Sequence, residues 1–218
     1  MLTFMFASCN SSQTPNTALS TDNTKVNEDM RSDEVLIEIE RKVSDRTYYD
    51  NLQEIEEQAE LIVRAIVKEN LGQEINTSYD TILDKHVPVS GYTKQEIEVT
   101  KVYKGDVNIG DKLVLMEEYY LWPKPDGNKR LVTTSFVKPL KKESEYLMFL
   151  KYQPDWDVYY RVGDYQGIYP IPTDEIRAKL NDGVLKIEDL NLYDNYGGES
   201  LPYLIPFYKE AVEKYPSE

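Results

Sequence analysis

With 218 residues the chain is long enough for one medium-sized domain with its own core, since domains commonly hold about 100 to 200 residues. Hydrophobic residues make up 40% and charged residues 29%, and 18 tyrosines stand against 5 phenylalanines: a globular composition whose rings carry polar edges. The 25 basic and 39 acidic side chains leave a net charge of −14, which argues against a nucleic-acid partner, because such affinity rests on neutralising phosphates, and equally against adsorption to anionic lipid headgroups.

The first nine residues, Met1 to Cys9, form an apolar run that ends in Ala7, Ser8 and the single cysteine of the chain. This run resembles the end of a lipoprotein signal peptide. In that family the peptidase cleaves just before the cysteine, which then carries a diacylglyceryl thioether, and small residues such as Ala7 and Ser8 fit its pocket. Phe6 stands where Leu, Val or Ile is usual, and no basic segment precedes the run. Residues 1–8 are therefore read as a partial signal peptide in a chain that begins late. The resemblance implies lipidation at Cys9, anchoring to the cell membrane and an extracytoplasmic position. A lone cysteine also excludes an internal disulfide framework.

Residues 9–33 are almost wholly polar and cannot bury enough apolar surface to offset the entropy of ordering them. They are expected to form a flexible tether with a typical reach of roughly 25 to 30 Å. No later apolar stretch approaches the roughly 18 residues of a spanning helix, so 34–218 is expected to be a single globular domain.

Residues 34–58 predict helical or irregular structure, with Asp50 as N-cap, Gln53 at the third helical position, and Leu52, Ile55 and Ala59 on one face of a short helix. The β-branched run from Leu61 to Val67 predicts a buried strand, whereas 69–91, with Gly72, Asn76, Pro88 and Gly91 and little periodicity, predicts a loop with at most a strand near its end. Glu96 to Tyr103 alternates as a strand, with the apolar phase flipping at Lys101-Val102 as a β-bulge would make it. Turn residues from 104 to 111 then set up a hairpin into a strand from Lys112 to Met116. An exposed loop is expected around Pro123 to Gly127. Further strands are expected at Leu131 to Val137, Tyr146 to Leu150, Val158 to Val162 and Gly167 to Ile171. Thr173 caps a helix that turns Ile176 and Leu180 inward and stops at Gly183. The spacing of Leu204, Tyr208, Ala211, Val212 and Tyr215, with Pro206 in the first turn, predicts a closing helix of about ten residues.

The order of a short helix, the strand Ala59 to Val67, the segment Ile97-Glu98-Val99-Thr100-Lys101-Val102-Tyr103-Lys104-Gly105 and then Tyr146-Leu147-Met148-Phe149 resembles the netrin-like modules of tissue metalloproteinase inhibitors. It resembles still more closely uncharacterised lipoproteins of Gram-positive bacteria. Over about 50–170 the resemblance implies a mainly β (α+β) fold: an OB-type five-stranded barrel with a short N-terminal and a C-terminal helix. The inhibitory chemistry does not carry over. Those inhibitors chelate the protease zinc through a free N-terminal cysteine, whereas Cys9 would be acylated and its partner cysteines are absent.

Catalytic signals are thin. His86 is the only histidine and lies in a polar stretch, and no serine occupies a nucleophile elbow. The same scarcity leaves no common zinc site, and no cofactor motif is present. Paired carboxylates, which can act as acid and base or hold calcium, occur at Glu117-Glu118, Asp155 with Asp157 and Asp189 with Asp194, without the spacing of a calcium loop. The aromatic stretches are more suggestive. Tyr119, Tyr120 and Trp122, then Trp156 with Tyr159 and Tyr160, and Tyr193 with Tyr196, either stack on a sugar or protein partner or fill the core. Tyr119, Tyr120, Trp122, Trp156 and Tyr159 are the candidate ligand contacts. The expected function is a tethered, non-enzymatic module that binds a surface protein or glycan. The alternatives are a carboxylate-dependent hydrolase and a protease inhibitor acting by another route.

Overall fold

In the computed structural model, alternating and β-branched segments become strands and the chain is mainly β. Residues 38–42, 47–193, 201 and 203–216 are described; Cys9, the polar segment after it, Asp194 and Tyr196 lie outside the described residues. Among the described residues nine strands are formed: β1 (Glu38–Arg41), β2 (Leu61–Asp80), β3 (Lys85–Lys104), β4 (Lys112–Glu117), β5 (Tyr119–Pro123), β6 (Lys129–Thr133), β7 (Glu145–Gln153), β8 (Val158–Arg161) and β9 (Ile168–Pro170). The helices are α1 (Leu52–Gln58), α2 (Asp174–Asn181) and α3 (Leu204–Lys214).

Five strands form a ring in the order β2, β3, β4, β8, β7 and back to β2. All neighbours are antiparallel except β4 and β8, which meet in parallel at Leu115 and Tyr159. The ring closes because β2 has two partners: from Leu61 to Ile66 one edge takes β7 while the other takes β3. The bulge expected near Lys101-Val102 is present, since the register between β2 and β3 slips on both sides of that pair. Each slip adds a residue and sharpens the local twist, which helps a sheet to curl. Val63, Ala65, Val67, Ile97, Val99, Leu115, Met148, Phe149 and Leu150 are fully buried and belong to one core cluster.

The helices complete that core. α1 buries Leu52 and Ile55 completely, and α3 buries Leu204, Phe207, Tyr208, Ala211 and Val212. Each fully buried aliphatic side chain contributes roughly 1.5 to 3 kcal/mol by leaving water. The cap of α1 differs from expectation: Asn51, rather than Asp50, accepts the Glu54 N–H at 2.9 Å, and the Glu54 carboxylate returns to the Asp50 N–H at 3.2 Å. Thr173 caps α2 as expected, its hydroxyl accepting the Ile176 N–H.

Several segments depart from the sequence reading: Glu38–Arg41, expected to be helical or irregular, is strand β1, and the strand expected at Leu131 to Val137 runs instead over Lys129–Thr133. The stretch 69–91 is not a loop: it is the outer half of a hairpin made by β2 and β3, each 20 residues long, turning at 81–84. Tyr119–Pro123 is strand β5, paired with β6, and β6 is flanked on its other side by β1 in parallel. This three-stranded sheet lies against the hairpin. Gln73 pins it through both ends of its amide, accepting from the Leu121 N–H at 2.8 Å and donating to the Leu121 carbonyl at 2.9 Å. Gly91 permits the close approach, since a Cβ there would lie 2.7 Å from the Tyr120 ring and 2.8 Å from the Glu74 carbonyl oxygen.

Candidate functional site

The five candidate ligand contacts do not form one surface. Tyr119 is buried, with its hydroxyl accepting from Gln95 at 3.2 Å; burial, then the charge of Glu117, pushes its hydroxyl up to about 12. Tyr120 is 2% exposed and its hydroxyl accepts from the Lys42 ammonium at 3.1 Å. Both rings hold the small sheet against the hairpin, so they are packing residues rather than loop aromatics. Trp122 is half-buried opposite Arg130. Tyr193 is buried and donates its hydroxyl to the Ile168 carbonyl.

Trp156 is different. It comes from the turn between β7 and β8, is 49% exposed, and stacks on Tyr92 with ring centroids 5.5 Å apart and planes 15° from parallel. On β3 the buried positions are Thr93, Gln95, Ile97 and Val99, so Tyr92, Lys94, Glu96 and Glu98 share the outward face. Tyr92 is anchored there: its hydroxyl donates to the Glu74 carboxylate at 2.7 Å, and Lys94 pairs with the same carboxylate at 2.5 Å. The Lys94 and Tyr92 hydrogen bonds hold Glu74 below the usual carboxylate range, while partial burial and then the bond to Glu74 push Tyr92 up to about 12. Tyr159 is half-buried and lies 5.2 Å from its cross-strand partner Tyr152, whose hydroxyl donates to Asp157 at 2.6 Å. The result is a rigid indole, backed by a fixed phenol and presented on the outside of the ring. Tyr92 is not marked in the sequence, because the stretch before it carries the composition of a loop; the signal for it is its place in the alternation from Tyr92 to Val99.

The carboxylates are arranged differently from a hydrolytic pair. Glu117 is 1% exposed; one oxygen accepts the Leu140 N–H at 3.0 Å and the other has no hydrogen-bond partner among the described residues. Burial pushes it up to about 7 against the opposing pull of Arg161, the Leu140 N–H and Gln95. A carboxyl tuned to neutrality suits general acid–base work, but this one is closed off from any substrate. Its neighbour Glu118 faces a cavity of ~230 Å³ shared with Lys151, Tyr160, Arg161 and Asp164. There Arg161 is committed to the fold: its guanidinium donates to Ser135 Oγ at 2.7 Å, and that hydroxyl donates to Asp164 at 2.6 Å. Asp157 is occupied by Tyr152, and Asp189 pairs with Lys179 at 2.8 Å. His86 is exposed, with Tyr79 edge-on to it at 5.5 Å. Among the described residues no group of three acidic, His or Cys side chains is placed to hold a metal ion.

Comparison of the chain with family models, with curated proteins and with solved structures finds no match.

Proposed function

We propose that this chain is a lipid-anchored, extracytoplasmic binding module, attached to the outer face of the cell membrane through Cys9. Its ring is read as an OB-type barrel of the netrin-like kind, carried by a Gram-positive lipoprotein, and its ligand as a neutral oligosaccharide. The observation that carries the reading is the exposed Trp156 indole stacked on Tyr92. An indole face is apolar and flat, and it suits the C–H faces of a pyranose as it suits other hot-spot contacts.

Two further features support it. In chain order the ring strands run first, second, third, fifth, fourth and back to the first, with only the third and fifth parallel, an order that supports the OB-type reading. OB-type barrels bind oligonucleotides or oligosaccharides across the second and third strands and the loops joining the first to the second and the fourth to the fifth. Tyr92 lies on the second ring strand and Trp156 in the fourth-to-fifth turn. The net charge of −14 disfavours the oligonucleotide and leaves the uncharged sugar.

The test is a titration of the full chain with linear neutral oligosaccharides, followed by tryptophan emission in a Trp122→Phe background. Saturable change at Trp156 is expected, with affinity, read by calorimetry for both the parent and Trp156→Ala, falling roughly tenfold or more in the variant, as for a hot-spot aromatic. A panel that leaves the emission unchanged, or equal affinity in the alanine variant, overturns the saccharide reading. The anchor is tested separately by the intact mass of the membrane-derived protein: a diacyl adduct absent from Cys9→Ala supports it, and an unmodified chain removes it.

A further inference from the structure

Past the ring, β2 and β3 continue as an arm. β7 pairs with β2 only as far as Ile66 and β4 pairs with β3 only from Thr93, so 68–92 form a two-stranded ribbon with no further strand in its ladder. From 76 to 86 every residue except Asp80 is exposed, so the outer end of the ribbon buries neither face. A ribbon of this kind is marginal in water unless something covers it. Its end carries aliphatic groups: Ile82 is 92% exposed and Leu83 56% exposed.

We propose that this tip docks into the interface of a zwitterionic lipid bilayer, with Ile82 and Leu83 at the boundary between headgroups and acyl chains. The proposal rests on the lipid-anchor reading above. Three observations carry it beyond apolar exposure. First, the tip's two aliphatic residues have their N–H groups paired: Asp80 accepts from Ile82 at 2.8 Å and from Leu83 at 3.0 Å, and beside them Asp84 accepts the Tyr79 hydroxyl. Removing such a turn from water costs less than removing one with orphan donors. Second, Tyr79 and His86 pack edge-on one step behind the tip. Amphipathic rings favour the headgroup level of a bilayer.

Third, the dimensions agree. At about 3.3 Å per residue the arm from Lys68 to Asp80 projects roughly 40 Å. The residues between Cys9 and Glu38 can span at most roughly 95 Å, so a lipid on Cys9 and the arm tip can reach one bilayer together. Contact with a surface to which the chain is already tied is intramolecular, and two aliphatic side chains suffice where they would fail for a free protein. Charge selects the lipid: Asp80 and Asp84 against Lys85 leave the tip acidic, so anionic headgroups repel it and zwitterionic ones do not.

The experiment uses the full chain with Cys9→Ala and a C-terminal histidine tag, held on phosphatidylcholine vesicles that contain a chelating lipid. A polarity-sensitive dye is attached at Ile82→Cys or, for reference, at Val184→Cys, which is exposed after α2. The expected result is a severalfold rise in emission at position 82 alone, quenched by acyl-chain spin labels, weakened when phosphatidylglycerol replaces part of the phosphatidylcholine, and lost with Leu83→Asp. A silent dye at 82 on the vesicle-held chain overturns the proposal, as does a stronger response to phosphatidylglycerol. A rise that follows protein concentration before vesicles are added assigns the tip to a second copy instead. Because the tag supplies the tether, failure of the Cys9 anchor appears in the mass measurement and leaves this readout intact.

Discussion

The inner and outer halves of β2 and β3 are continuous in backbone yet opposite in physics. Inside the ring, Val63, Ala65, Val67, Ile97 and Val99 are buried, and β2 is hydrogen-bonded on both edges. Outside it, the same strands have only each other in the ladder; near the ring they touch the small sheet through Gln73 and Gly91, and towards the tip cross-strand pairs such as Asn76 with Ser90 replace a core, as Glu74 with Lys94 does nearer the ring. Such exposed pairs contribute only tenths of a kcal/mol each. Strand geometry can thus persist where almost no stability is stored, and a region freed from packing duty is available for contact.

The largest expected break in this comparison is Phe149→Ala, which removes a fully buried ring that meets both Tyr169 and Tyr215. It should cost about 3 to 5 kcal/mol in a urea titration. A loss under about 1 kcal/mol would show that the ring is not the stabilising core.

Next is Glu117→Gln, read as the urea midpoint against pH. Glu117 stands above its ordinary value of 4.5, at about 7, so the folded state favours the protonated carboxyl. Its contribution is therefore fully present below pH 4.5 and is lost as pH rises through 7. Wild type should lose up to about 3 kcal/mol across that window, and the glutamine variant should lose much less. Equal slopes would mean that the carboxyl is not held in the environment described.

The smallest effects belong to the arm. Gln73→Ala removes two hydrogen bonds that join hairpin and small sheet and should cost about 1 kcal/mol, with faster amide exchange at Leu121. Ile82→Ser should leave stability within about 0.5 kcal/mol, since the side chain is already in water. A large loss there would place the tip in a packed structure and undo the contrast.

The same contrast explains what was legible in the sequence. Alternation appears only where one face is wet and the other dry, so Glu96 to Tyr103 read as a strand with a bulge and 69–91 read as a loop, although both are β3 or β2 backbone. Of the aromatic platform, Trp156 stands out in the sequence and Tyr92 does not, because a lone tyrosine next to a loop-like stretch carries no period of its own. Tyr119 and Tyr120 misled for the opposite reason: a run of aromatics looks the same whether it faces solvent or a neighbouring sheet.

Composition and local pattern alone determined the acidic, mainly β character, the ring segments Leu61 to Val67, Lys112 to Met116 and Tyr146 to Leu150, the Thr173 cap and the closing helix. These depend on near neighbours and on a side chain's preference for oil or water. Tertiary structure decided the ring closure through β2, the length of the arm, the helix cap at Asn51, the burial of Glu117 and the pairing of Trp156 with Tyr92. Each of these joins residues distant along the chain, or chooses between locally equivalent options, and the choice is made by whichever arrangement buries the shared core.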